Sequence, residues 1–253
     1  MGVEHQRIEV SEIYTAGQAE GPYMGRPSIF LRLRRCNLAC DWCDSKFTWD
    51  RKMPEYRMFR AFTPPELAQA LCDQASDQNH WPLGLVITGG EPLIWQRLLP
   101  EVIDLYKAGA SVAVAVEVET AGTIIPSSDM LRRCHFNVSH KMPSSGNNEV
   151  PTEILWCAEA AKEFAKANAV YKIVIDPTVP EDAETFPLYF AWLLKATRLP
   201  QDTLRDRVYL MPAAATKDEL YSRQAAVIEL AMEYGVRYTT RPHILAYGGE
   251  RGR

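Results

Sequence analysis

A chain of 253 residues with 47% hydrophobic and 24% charged side chains can bury a core of its own, which excludes a disordered chain, a collagen-like fibre and a coiled-coil rod. Its 28 Lys and Arg face 32 Asp and Glu, a formal charge of −4, which argues against a nucleic-acid partner held by dense phosphate contact. No stretch approaches the ~18–20 apolar residues of a membrane span, and the N-terminal MGVEHQRIEV lacks an apolar signal core, so the expectation is a cytoplasmic protein with no membrane partner.

At roughly 150 residues per domain the length allows one large domain or two small ones, and 1–253 reads as one. Ser28–Leu33 is the first predicted strand. Thr63-Pro64-Pro65-Glu66 is a capping box that opens a helix carrying Leu67, Ala70 and Leu71. Strands follow at Leu85–Thr88, Val112–Val118 and Phe136–Ser139. A helix is predicted over Glu153–Asn168 and a strand over Val170–Ile175. Asp182–Pro200 is rich in aromatic and aliphatic residues, and either a dimer surface or core packing accounts for that. After the strand Val208–Met211, Thr216-Lys217-Asp218-Glu219 caps a helix with Val227, Leu230, Ala231 and Tyr234 on one face. Gly235 stops it, and Arg237–Thr239 is the last strand.

Strands alternating with helices predict an α/β fold with a mainly parallel sheet. A complete eightfold barrel takes about 250 residues and eight βα units. Six or seven strands are legible here, so the expectation is an incomplete TIM-type βα barrel, with its chemistry at the C-terminal strand ends.

Six cysteines occur, and Cys36, Cys40 and Cys43 crowd into one short segment after the first strand, whereas Cys72, Cys134 and Cys157 are scattered. The scattered three read as small buried hydrophobes. The crowded three suit one metal centre in a reducing compartment. A structural zinc would want a fourth ligand, yet His5, His80, His135, His140 and His243 are all distant in sequence. Three cysteines on a cubane iron–sulfur cluster leave one iron open to a further ligand.

The C-x₃-C-x₂-C spacing, with Trp42 just before the third cysteine, resembles the signature of the radical S-adenosylmethionine superfamily. That resemblance implies a [4Fe-4S] cluster whose open iron chelates S-adenosylmethionine and whose electron cleaves it to a 5′-deoxyadenosyl radical. Thr88-Gly89-Gly90-Glu91-Pro92 is similar to the superfamily's Gly-Gly-Glu-Pro motif, so Gly90 and Glu91 are expected at the methionine amino group. Val118-Glu119-Thr120 ends another strand. A buried carboxylate needs hydrogen-bond donors, and a ribose would supply them to Glu119.

Glu12–Gly21, Gly25-Arg26-Pro27, Cys43-Asp44-Ser45, Ser139–Asn147 and Met211-Pro212 follow in the order that resembles the 7-carboxy-7-deazaguanine synthase family. The resemblance runs from about residue 8 to the C-terminus. It implies conversion of 6-carboxy-5,6,7,8-tetrahydropterin to 7-carboxy-7-deazaguanine with loss of ammonia, in queuosine and related deazapurine biosynthesis. It also implies Mg²⁺, a homodimer and a flavodoxin- or ferredoxin-type reductant. By the same resemblance Ser45 binds Mg²⁺. Gly17, Gln18, Ala19, Glu20, Arg32 and Thr88 meet the pterin. Trp42, Ser139, His140 and Lys141 join Gly90, Glu91 and Glu119 at S-adenosylmethionine. Chemically, Arg32 offers a planar fork for a carboxylate, and Gln18 and Glu20 can read a donor–acceptor edge.

The chain departs from the family pattern at Ala19, Ala121, His140 and Arg241-Pro242-His243-Ile244. Arginines gather at Arg32, Arg34 and Arg35, and again at Arg237, Arg241, Arg251 and Arg253. Two other readings stay open at this point. One is a different radical enzyme, such as a glycyl-radical activase. The other is a zinc-stabilised binding module without catalysis.

Overall fold

The near-continuous apolar runs of the sequence become strands covered on both faces, as a parallel sheet requires. Val170–Ile175 and Val208–Pro212 are buried at every position. In this computed structural model residues 7–77, 82–248, 250 and 252 are described. His5, His80, Gly249, Arg251 and Arg253 lie outside the described residues.

The described residues form one nine-stranded sheet in the order β3-β1-β2-β4-β5-β6-β7-β8-β9. Its strands are β1 (Ile8–Gly17), β2 (Pro27–Leu33), β3 (Arg60–Phe62), β4 (Gly84–Gly89), β5 (Ala115–Thr120), β6 (His135–Val138), β7 (Val170–Ile175), β8 (Val208–Pro212) and β9 (Arg237–Tyr238). From β2 to β9 every pairing is parallel, whereas β1 runs antiparallel to both β2 and β3. The sheet does not close. Its two edges, β3 and β9, are short, which limits the unpaired backbone they expose.

The helices are α1 (Pro64–Ser76), α2 (Leu99–Gly109), α3 (Ser128–Leu131), α4 (Thr152–Leu155), α5 (Ala158–Lys166), α6 (Pro180–Thr197), α7 (Gln201–Arg205), α8 (Lys217–Tyr234) and α9 (Pro242–Tyr247). Both expected capping boxes form, at Thr63 and Thr216. Gly235 adopts the left-handed conformation that ends α8. One core cluster joins β1, β2 and β4–β8 to α1, α2, α5, α6 and α8.

Two expectations change and one open alternative is narrowed. The helix expected over Glu153–Asn168 is two helices, broken at Trp156 and Cys157. The Trp156 indole donates to the Lys141 carbonyl (3.1 Å) and packs against Tyr189 and Trp192, so tertiary contact overrides helical continuity. The strand expected from Val112 starts at Ala115, where pairing with Gly84 begins. Most of Asp182–Pro200 falls in α6, which ends at Thr197, with Phe186, Tyr189, Phe190 and Leu193 turned into the core and Leu188 left outside. Of the scattered cysteines, Cys134 is buried, and Cys72 and Cys157 are half-buried against the core.

The turn after β4 needs glycine. Gly89 sits at φ +123°, and a Cβ on it would run into the backbone of Leu33. A Cβ on Gly90 would run into the Arg35 carbonyl. That closeness lets the Gly90 N–H donate to the Leu33 carbonyl (2.9 Å) and the Glu91 N–H to the Arg35 carbonyl (2.8 Å), joining this turn to the root of the cysteine loop. Gly90→Ala must push the two apart, at a cost of about 1–3 kcal/mol. Urea unfolding checks this, and an unchanged midpoint would show that the approach is not required.

Candidate active site

β2 ends at Leu33 and the chain turns into the cysteine loop. Arg34 and Arg35 fasten its root. Both pair with Glu9, and the Arg34 guanidinium lies over the Tyr56 and Phe59 rings. Two of the three clustered arginines are thus structural. Cys40 is buried, and Cys36 and Cys43 are half-buried, packed with Leu38, Ala121, Val150 and Leu155. Each sulfur accepts an N–H: Cys36 from the Leu38 backbone (3.5 Å), Cys40 from Asn147 Nδ2 (3.2 Å) and Cys43 from Trp49 Nε1 (3.4 Å).

Burial pushes the Cys36 thiol up to about 12, so the free thiol is a poor nucleophile, whereas metal coordination would take its proton. Among the described residues no three His, Cys, Asp or Glu side chains converge as a single-ion site demands. A cubane presents its irons at separate corners, so its cysteines need not meet at one point. Three sulfurs on one loop, each with a donor, fit that larger group.

Glu91 requires a correction. It is fully buried, and its carboxylate accepts the Leu93 N–H (3.0 Å), the Thr120 hydroxyl (2.8 Å) and the Ala121 N–H (2.8 Å). Burial raises its carboxyl. Glu91 therefore ties the glycine turn to the end of β5 and does not face the cavity, whereas Gly90 does. His140 is the second correction. Side chains alternate at a strand end, so Ser139 and Lys141 face the cavity and His140 turns away. It is buried against Tyr171, Tyr189 and Trp192, with Nδ1 2.9 Å from the Tyr189 hydroxyl, and burial lowers it to about 3.

The loop after β1 folds into the interior of the open barrel. Gln18 is buried, and its Nε2 donates to Glu117 (3.2 Å) and Glu119 (3.3 Å). Its Oε1 accepts the Ala19 and Glu20 backbone N–H groups, so its amide shapes the turn that presents Glu20. Asn137 Nδ2 donates to the same two carboxylates (3.0 and 2.9 Å). Lys172, 1% exposed, bridges Glu20 (2.9 Å) and Glu119 (2.7 Å). Arg241 binds Glu20 (3.0 Å), Asp44 (2.9 Å) and the Ala214 carbonyl (2.6 Å), which brings the departed C-terminal motif into the site.

Burial works against a charged Glu20, but Lys172 and Arg241 outweigh it and hold the carboxyl below its usual range. For Glu119 burial dominates and raises it. Burial also opposes the Lys172 ammonium, and the two carboxylates more than restore it.

These groups line one cavity of about 750 Å³, a size that suits small-molecule ligands. Every sequence-predicted site residue except Glu91 and His140 is on its wall: Cys36, Cys40, Cys43, Ser45, Gly17, Gln18, Ala19, Glu20, Arg32, Thr88, Trp42, Gly90, Glu119, Ser139 and Lys141. Arg32 is held by Glu12 (2.9 Å) and the Tyr14 hydroxyl (2.8 Å). Lys141 Nζ contacts Ser139 Oγ (3.1 Å) and lies over the Trp42 ring. Ser45 Oγ is 3.5 Å from the Gly89 carbonyl. A second depression of about 730 Å³ beside α2 and α3 shares none of these residues, and its Arg133 is paired with Asp104 and Asp129.

Residue-type reasoning did not single out Lys172, Asp44, Asp176, Arg223 or Trp49, all on the wall. One signal was present. Lys172 interrupts the apolar run Val170–Ile175, and a lysine inside a doubly covered strand needs a partner.

Residues 21–151 match the family described as a 4Fe-4S single cluster domain. The 7-carboxy-7-deazaguanine synthase of Pyrobaculum aerophilum is 32% identical over 250 residues, 98% of each chain. The chain belongs to the 7-carboxy-7-deazaguanine synthase family. The Hyperthermus butylicus member is 28% identical over 94% of this chain and 92% of its own. Among solved structures, QueE from Escherichia coli superposes with a TM-score of 0.64 at 23% identity, over 92% of this chain and 93% of that one. As a member of this family the chain is an enzyme on an incomplete βα barrel.

Removing the cation of a buried pair leaves uncompensated charge. Lys172→Met is expected to cost about 3–5 kcal/mol at pH 7. The held-down Glu20 contributes stability above the usual carboxylate range, and that stability is lost as pH falls through its folded value. That loss falls well below pH 4.5, but Glu119, which burial already raises, loses its ammonium in the variant and takes up a proton at mildly acid pH, so the deficit shrinks on acidification to about pH 4.5. Urea unfolding at both pH values checks this, and equal deficits would remove the ion pairs as the cause.

Proposed function

We propose that this enzyme converts 6-carboxy-5,6,7,8-tetrahydropterin to 7-carboxy-7-deazaguanine with loss of ammonia, using a [4Fe-4S] cluster, S-adenosylmethionine and Mg²⁺. The observation that carries it is the single cavity joining the three cysteine sulfurs to the Gly17–Glu20 turn. When bound, the cluster would supply the electron that opens the sulfonium of S-adenosylmethionine.

The chain's own residues divide the work. The cysteines would hold three irons, with Trp42, the Gly90 backbone, Ser139, Lys141 and Glu119 beside the sulfonium nucleotide. A solved Streptococcus suis SuiB, bound to S-adenosylmethionine, shares the fold at a TM-score of 0.50 and 16% identity, over 81% of this chain and 48% of that one. Glu20, held anionic by two cations, can accept from the pterin's amino and N3–H groups. Gln18, with its amide spent internally, serves the pterin by fixing the backbone of Ala19 and Glu20. Arg32 offers its guanidinium to the substrate carboxylate. Ser45 would give Mg²⁺ one hard oxygen, with substrate and water supplying the rest.

We further assign a flavodoxin- or ferredoxin-type electron donor, a cytoplasmic site and a homodimer. The unpaired cysteines support a reducing compartment, and among the described residues no helix is long and apolar enough to cross a membrane. Exposed Tyr221, Ile228 and Met232 on α8 support a self-association face.

The decisive assay reconstitutes the cluster anaerobically and adds carboxytetrahydropterin, S-adenosylmethionine, reductant and Mg²⁺. A product with a deazapurine ultraviolet spectrum is expected. Cofactor cleavage without that product would point to another radical enzyme, and one zinc in place of iron and sulfide to a binding module. Cys40→Ala is expected to abolish both iron loading and turnover, and a brown, fully loaded variant would remove Cys40 from the ligand set. Ser45→Ala should weaken the response to Mg²⁺ and slow turnover while S-adenosylmethionine is still cleaved. An unaltered Mg²⁺ titration would take Ser45 out of the metal's shell.

A further inference from the structure

The cysteine loop is clamped from a distant part of the chain. After β6 the chain passes Lys141 and makes a tight turn at Pro143–Ser145, with Gly146 at φ +73°. A Cβ on Gly146 would run into the Asp41 carboxylate, so this turn packs directly on the cysteine loop. The Ser145 carbonyl accepts the Asp41 N–H (2.9 Å). Asn147, 6% exposed, then spends its whole amide on the interface. Its Oδ1 accepts the Ala39 N–H (3.0 Å), and its Nδ2 donates to Cys40 Sγ (3.2 Å) and to the Ser145 carbonyl (3.3 Å) and hydroxyl (3.2 Å).

One side chain therefore fixes the backbone just before a cysteine and points a buried N–H at that cysteine's sulfur. Trp49 supplies a comparable donor to Cys43, from the segment that follows the loop. An N–H aimed at a cluster-bound sulfur stabilises the reduced, more negative state of the cluster, because electron density on the sulfur grows when the electron arrives.

We propose that Asn147 is a positioning residue for the iron–sulfur cluster, holding Cys40 in place and raising the cluster's reduction potential through its Nδ2–H donor. This rests on the cluster reading above. Because the turn carrying Asn147 continues directly from Ser139–Lys141 on the cavity wall, the strand end assigned to the nucleotide and the loop assigned to the cluster form one braced unit.

The test is a mediated redox titration of anaerobically reconstituted protein, followed by the electron paramagnetic resonance signal of the reduced cluster. Asn147→Asp keeps an oxygen for the Ala39 N–H and removes the donor to Cys40. Asn147→Leu removes both. Trp49→Phe removes the second donor and leaves Asn147 intact. In each loaded variant the ratio of reduced to oxidised cluster at a fixed potential is expected to fall about tenfold, a negative shift of about 59 mV for a one-electron couple.

A variant of Asn147 that carries the full cluster with an unchanged or more positive potential overturns the inference. Loss of iron from both Asn147 variants, with urea unfolding of the apoproteins like that of the wild type and Trp49→Phe loaded and shifted, supports the clamp. Wild-type protein that binds no four-iron cluster overturns the reading beneath, and this inference with it.

Discussion

One buried ammonium organises the interior of this barrel. Lys172 sits in the middle of a strand whose every residue is buried, and it reaches two carboxylates from different parts of the chain. An isolated charge at such depth would cost several kcal/mol, so Lys172 is tolerable only if Glu20 and Glu119 are both brought to it. That demand fixes the loop after β1 inside the barrel and sets its distance from the end of β5. Gln18 and Asn137 complete the arrangement by donating to Glu119 and to the deeper Glu117. A polar interior replaces the layered aliphatic filling of a closed barrel, and it leaves room for a ligand where that filling would be.

The open sheet serves the same end. With β1 antiparallel to β2, the chain returns beneath the barrel before the first parallel strand begins, so Gly17–Glu20 approaches from one side and the cysteine loop from the other. The two walls are joined at charged points. Arg241, from the C-terminal segment, holds Glu20 through Nε and Asp44 through Nη2 of its guanidinium. Asp44 lies between Cys43 and Ser45, so the group expected to read the pterin is connected through a single side chain to the loop expected to hold the metals. A long, rigid, permanently charged side chain suits that span.

Much of this was legible in residue order. The capping boxes at Thr63 and Thr216 have local causes, and they form where their sequences place them. The cysteine spacing and the glycine turn are also local. β1 was harder to see, because Ser11, Glu12, Tyr14 and Thr15 dilute its apolar alternation, and its strand character depends on pairing with β2. Helix α2 carries Leu99, Val102, Ile103 and Tyr106 at helical spacing, a signal present in the sequence but masked by its neighbouring glycine turn. The break at Trp156 was not visible, since it depends on aromatic partners in α6. Residue order hides one feature that Gln18 and Glu91 share. Both are polar residues beside a site whose bonds are spent inside the protein, and only the folded arrangement shows where a donor or acceptor is already occupied.

The contrast between His140 and Lys141 follows from the same geometry. Adjacent residues at a strand end face opposite sides, so a three-residue motif can present its first and third members to a ligand and must turn its second member toward the packing helices. His140 meets Tyr171, Tyr189 and Trp192 there, and the Trp156 indole closes the group by holding the Lys141 carbonyl. The departure from the family pattern at His140 is thus absorbed by the aromatic layer behind the sheet. Its influence on the cavity runs through the backbone it shares with Ser139 and Lys141, whose side chains line the cavity wall.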